Sequence, residues 1–167
     1  MANFTGSVAV SIQGELTSTQ SIGQASYPIS YINQSVLTSG TGSYQANQGI
    51  TATRTLTASA SENLDLSGSM GNAFNTTTAF TKVKVLMVSA AASNTNDVLV
   101  GGAASAQAGS FFGDVSDVLR VKPGGSITLT APDAGYAITA TTADLLKVAN
   151  SGAGTAVTYT IVVIGVE

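Results

Sequence analysis

The sequence predicts an all-β chain: an antiparallel β-sandwich or jelly roll of about eight to ten strands, led in by an extended N-terminal arm. Three observations predict it. Apolar and polar residues alternate with a period of two in one short segment after another, as in Thr81-Lys82-Val83-Lys84-Val85 and Leu119-Arg120-Val121-Lys122. Turn residues separate these segments at short intervals, in Pro123-Gly124-Gly125, Pro132-Asp133-Ala134-Gly135 and Asn150-Ser151-Gly152-Ala153-Gly154. No helical period runs between them.

Taken in order, the chain divides into an arm, 1–49, and a sandwich domain, 50–167. The arm opens on one alternating strand, Ser7 to Ile12, and then turns polar, with Ser, Thr, Gln, Asn and Gly dominant. Pro28 forces the residue before it into extended backbone. Val8, Val10, Ile12, Tyr27, Ile29 and Tyr31 stand out as spaced apolar anchors, which suit an arm that orders against a neighbouring subunit, as in strand addition. The other reading open here is a first sandwich strand followed by a surface loop.

Within the domain, Arg54 to Ala60 is expected as a strand with Leu56, Ala58 and Ala60 on one face, then Asn63 to Ser67 as a second. A loop follows over 69–79, carrying Phe74. In the strand 80–90, Phe80, Lys82, Lys84, Leu86 and Val88 share one face, and Val83, Val85 and Met87 the other. Further strands are expected at 97–100, 118–121, 126–130, 136–140, 145–148 and 158–164. Pro123 fits the first central position of a turn and Gly124 the second. Ile161 to Ile164 is apolar on both faces, so the last strand is expected to be covered twice, inside the sandwich or at a subunit contact. The interface residues expected from the sequence are therefore Val8, Val10, Ile12, Tyr27, Tyr31, Ile161 and Val163.

Composition excludes more than it indicates. The chain has no His, Cys or Trp. A Ser nucleophile lacks a His base, and zinc lacks its usual ligands. The nine carboxylates come without the aromatic platforms of a sugar-cleaving cleft. Asp114 and Asp117 read as turn carboxylates that cap backbone donors. No enzyme activity, cofactor or metal is expected. Six basic residues against nine acidic ones leave no footprint for nucleic acid. No run approaches the ~18 apolar residues of a membrane span, and the first residues do not read as a signal peptide. Charged residues are 9% of the chain, against about 25% in ordinary soluble domains. Such a neutral Ser/Thr/Ala/Gly surface loses little side-chain entropy on docking. The Thr rows at 51, 53, 55, 57 and at 128, 130 are read as ordinary β-propensity.

The stretch from Arg54 to Val166 resembles small virion structural proteins of tailed bacteriophages. The resemblance is carried by RTLTASASENLDLSGSMGNAF, FTKVKVLMVSAAASNTNDVLVGGA, LRVKPGGSITLTAPDAGYAITATTADLLKVANSG and the closing TYTIVVIG. It implies a β-sandwich or jelly roll, symmetric assembly and no catalysis. The expectation is a capsid decoration or cement protein, made in the host cytoplasm and carried on the virion capsid surface. Its expected partners are the major capsid protein and further copies of itself, as a homotrimer. The alternative is a head-fibre or tail-fibre module that binds a receptor or a carbohydrate.

Overall fold

The computed structural model describes residues 3–68, 70–72, 74 and 76–167. Among these the chain is all β, and helix is confined to a single 3₁₀ turn, Gly109–Phe111. Two long strands come first, β1 (Gly6–Gln20) and β2 (Gly23–Ser39). There follow β3 (Gln45–Ala46), β4 (Gln48–Leu56), β5 (Ser61–Asp65), β6 (Met70–Gly71), β7 (Thr77–Thr78) and β8 (Lys82–Ala90). The remainder are β9 (Val98–Gly101), β10 (Val118–Val121), β11 (Ser126–Thr130), β12 (Tyr136–Ala137), β13 (Leu145–Asn150) and β14 (Val157–Val166).

Two sheets form the body. One runs β10-β9-β13-β5 and the other β11-β8-β14-β4, with β12 added alongside β8. All their pairings are antiparallel. The inward residues of both sheets meet in one core, in which Leu64, Leu86, Val88, Val98, Val100, Leu146, Val148, Tyr159, Ile161 and Val163 are buried. This is the sandwich that alternation predicts. Each strand turns one residue in two toward the partner sheet and leaves hydroxyls outside.

Several expected boundaries move. The strand foreseen at 54–60 lies at 48–56 and stops at Leu56. Thr57, Ala58 and Ser59 form a turn, with Ser59 at φ 57° and Ala58 exposed. In β8 the register slips where Ile164 faces Val85 and Gly165 faces Val83. This bulge turns both Val83 and Leu86 into the core, two residues that strict alternation puts on opposite faces. It also parts Lys84 from Leu86, which alternation puts on one face, and tucks it beneath the 131–135 turn, where Nζ donates to the Asp133 carbonyl at 2.5 Å. Gly124, at φ 74°, takes the second central position after Pro123, and Gly125 N–H closes that turn on the Lys122 carbonyl at 2.8 Å. The expected loop 69–79 contains Ser69, Ala73 and Asn75, which lie outside the described residues. Its described part pairs β6 with β7.

The arm departs most from expectation. One strand and a long polar segment were predicted over 1–49; the chain instead doubles back as a two-stranded hairpin. β1 and β2 stay in register over fifteen residue pairs, from Gly6 opposite Leu37 to Gln20 opposite Gly23. At about 3.3 Å per residue the hairpin is about 50 Å long.

Candidate docking surfaces

The hairpin register sorts its side chains onto two faces. Val8, Val10, Ile12, Gly14 and Leu16 of β1 share one face with Leu37, Ser35, Asn33, Tyr31, Ile29 and Tyr27 of β2, the two polar residues falling opposite Val8 and Val10 near its base. The other face carries Ser7, Ser11, Gln13, Glu15, Thr17 and Thr19 against Gln34, Ser30, Pro28, Ser26 and Gln24, with Ile32 and Val36 as its large apolar members. An amphipathic ribbon results. The polar composition of this segment hides it, because most of its apolar residues sit at alternate positions and fall on one side, Ile32 and Val36 excepted.

The base of the apolar face is docked on the body. Leu37 and Ala46 pack with Val85 of β8, joined by Phe4, Val8 and Ile164. Polar clips hold the same region. Tyr44 N–H donates to the Pro132 carbonyl at 2.9 Å, Ser43 Oγ to Asp133 Oδ1 at 2.5 Å and Asn47 N–H to the Gly165 carbonyl at 3.1 Å. Beyond Val10 the body ends and the apolar face continues without cover. Ile12 is 57% exposed, Leu16 66%, Tyr27 67%, Ile29 49% and Tyr31 55%. Ile22, at the hairpin tip, is 97% exposed.

The five arm residues expected at an interface, Val8, Val10, Ile12, Tyr27 and Tyr31, thus lie on one face, the first two half-buried at its base. Leu16, which completes the row, was missed. Its parity with Val8, Val10 and Ile12 was the available signal. Ile161 and Val163 are corrected. Both are fully buried in the chain's own core, opposite Val88 and Leu86, and have no surface to offer a partner. Only the outward residues of that strand, such as Val162 and Ile164, remain partly exposed.

Pro28 stands opposite Glu15, five pairs from the closing pair Gln20/Gly23. Hydrogen-bonded and non-hydrogen-bonded pairs alternate from a closing pair that bridges a two-residue turn. Position 28 is therefore non-hydrogen-bonded and its nitrogen lies on the outer edge of β2, the place where Pro is tolerated. It removes a donor from that edge and blunts it against an added strand.

A second surface is the outer face of the β11-β8-β14-β4 sheet. Thr53 and Thr55 of β4 meet Thr160 and Thr158 of β14 through hydroxyl contacts of 3.0 and 3.1 Å. Ser89, Ser126 and Thr128 extend the hydroxyl field, and Met87 and Val162 lie beside it. At one border a groove of about 720 Å³ runs over β4 between Phe4 and Phe74, lined also by Gln48, Thr51, Asn72 and Ile164.

Several charged groups of the body are committed to structure. Glu62 Oε2 accepts from Arg54 Nε at 2.8 Å and Nη2 at 2.5 Å, and Oε1 accepts from the buried Tyr159 hydroxyl at 2.8 Å. Burial pushes the Glu62 carboxyl up, but hydrogen bonds from Arg54 and Tyr159 outweigh it and hold the group below its ordinary value. The same burial, with Glu62 beside it, raises the Tyr159 phenol far above its ordinary range. Asp97 accepts from Arg120 at 2.6 Å and from Lys122 at 3.1 Å, and these donors, Arg120 first, lower its carboxyl. Asp114 and Asp117 cap backbone N–H groups of their own turn, at 2.8 Å to Ser116 N and 2.8 Å to Asp114 N. Among the described residues no group of three or more acidic, His or Cys side chains converges as a metal site, and no helix is long and apolar enough to cross a membrane.

Comparison of the chain with protein-family models, with curated proteins and with solved structures finds no match.

Proposed function

We propose that this chain is a structural virion protein of a tailed bacteriophage, a capsid decoration or cement protein that binds and stabilises the shell of major capsid protein. The observation that carries this reading is the uncovered apolar face of the hairpin. Such a face, as large as the largest apolar patches of ordinary monomers, which are often functional, supports completion by other chains. The hydroxyl field on the outer sheet face is the surface offered to the shell. It is uncharged and rich in β-branched Thr, whose stiff side chains lose little freedom on docking.

The strand order supports the same reading. Across β4, β5, β8, β9, β10, β11, β13 and β14, every link except β9 to β10 carries the chain from one sheet to the other. That winding is what two interlocked Greek keys give, so we read the body as a jelly roll, an architecture recurrent in viral capsid proteins and lectins. Together with the resemblance of residues 54–166 it favours a shell subunit over a catalyst.

The test is to mix the purified protein with undecorated shells and count bound copies by mass and by electron microscopy. Thr53→Lys with Thr128→Lys, both outward on the hydroxyl field, are expected to abolish binding while leaving the fold intact. Wild-type protein that leaves shells bare overturns the proposal.

The groove between Phe4 and Phe74 favours a second reading, a fibre module for a carbohydrate, since it sets aromatic walls beside amide side chains. Binding of host surface polysaccharide that is lost in Phe74→Ala, with no shell binding, would select it.

A further inference from the structure

We propose that the apolar face of the hairpin is a self-association surface, and that its occupant is the same face of another copy of this chain, the copies arranged about a symmetry axis that runs along the ribbon.

Four observations carry this. First, the face bears no charge. Glu15 is the only ionisable carboxylate or cation in β1 and β2, and its register places it on the opposite face. Two such faces meet without like-charge repulsion and without burying an ion. Second, the area is of the order an interface needs. Tyr27 and Tyr31, at roughly 200 Å² each, and three aliphatic residues stand half to two-thirds exposed. They present on the order of 500 Å² per copy, approaching the ~800 Å² per partner of a standard interface. Third, the face is continuous with a contact already made. Its base is buried on the body through Val8 and Leu37, so the uncovered part is aimed by a rigid foundation. Fourth, Pro28 blunts the outer edge of β2 against an added strand, and an added strand at the β1 edge would still leave the apolar face uncovered, so face-to-face packing is what covers it. A lone two-stranded ribbon is marginal in water; a second ribbon about 10 Å away makes it a small sandwich of its own. Gly14, opposite Ile29, leaves a notch that the facing Leu16 or a Tyr ring can fill.

This goes beyond the shell reading and is tested on the protein alone. The full-length chain is followed by sedimentation equilibrium and light scattering from about 1 to 100 µM. A closed dimer or trimer is the expected state. Leu16→Lys with Ile29→Lys is expected to raise the dissociation constant at least about 100-fold, since one buried aliphatic side chain is worth about tenfold to hundredfold in an equilibrium constant. Glu15→Lys, on the other face, should leave the oligomer intact. If the lysine pair misfolds, Leu16→Thr with Ile29→Thr, better suited to a strand, is the substitute. Because the chain has no cysteine, Leu16→Cys supplies its only thiol. Sheets about 10 Å apart are too distant for a direct disulfide, so symmetry about the ribbon axis predicts covalent pairing between copies by a short bismaleimide that spans that gap, with none for Thr17→Cys. A monomer at 100 µM overturns the proposal. So does an oligomer that survives the lysine pair, or one that loses it but never cross-links at position 16, which would mean that the ribbon docks on a different surface of its neighbour. Failure of shell binding leaves each of these outcomes unchanged.

Discussion

Replacing Glu62 by Ala removes the acceptor that ties the two sheets together at one edge of the sandwich. β4 and β5 belong to different sheets, and Arg54 and Tyr159 on one side share Glu62 on the other. The ion pair itself contributes little, because Arg54 is 42% exposed and solvent screens it, about 0–1 kcal/mol. The larger part falls on Tyr159, whose residue is fully buried and whose hydroxyl has Glu62 as its partner at 2.8 Å. A buried hydroxyl left unpaired costs about 1–3 kcal/mol. We expect Glu62→Ala to lose about 2–3 kcal/mol, a fall in Tm of roughly 4–12 °C for a domain of this size. Tyr159→Phe removes the donor with the acceptor still partly wet and should lose about 1 kcal/mol. Urea and thermal melts followed by far-ultraviolet dichroism measure both, and the double variant gives the coupling. The pH dependence carries its own sign. The folded Glu62 carboxyl lies below its unfolded value of about 4.3, so its contribution is fully present above that value and is lost as pH falls through the folded one. The stability gap between wild type and Glu62→Gln should close on acidification below about pH 4. Glu62→Ala within about 0.5 kcal/mol of wild type, or Tyr159→Phe costing more than Glu62→Ala, would refute this account.

Three further outcomes are expected. Leu86→Ala, in a fully buried position facing Val163, should cost about 2–5 kcal/mol by denaturant melting, through lost transfer and the cavity left behind. Gly165→Ala sets a Cβ against the Lys82 carbonyl at the bulge, where backbone cannot yield cheaply, and is expected to cost at least about 2 kcal/mol in the same assay. Pro28→Val restores the missing edge donor and should leave the melting of the body unchanged while raising thioflavin-positive aggregation on standing.

The body was legible because its strands are bounded by turn chemistry: Pro123-Gly124 and Pro132 to Gly135 fall where their φ values require them, and β11 and β13 lie within a residue or two of expectation. Strict alternation failed at Val83 and Leu86, since a bulge adds a residue without leaving a mark in composition. Ile161 and Val163 were misassigned for a related reason. An apolar run states that both faces of a strand are covered; it does not say which cover comes from the same chain. The hairpin was half legible. Val8, Val10, Ile12, Tyr27 and Tyr31 announced anchors, but Ser21-Ile22-Gly23 lacks the Asn-Gly signature of a tight hairpin. The fold-back, and with it the place of Leu16, could be read only from the pairing.

The foundation of the hairpin has a consequence for timing. Ile164, against which its base rests, lies in β14, and β14 pairs with β4 across roughly a hundred residues. The ribbon itself closes locally, a step of microseconds, whereas such distant pairing is slow. The ribbon, marginal by itself, can therefore close before the seat that aims it is built. It acquires a fixed direction only when β14 is laid down between β4 and β8. Pairing of β14 is thus the step that orients the ribbon, and a chain lacking β14 would carry a ribbon with no fixed direction.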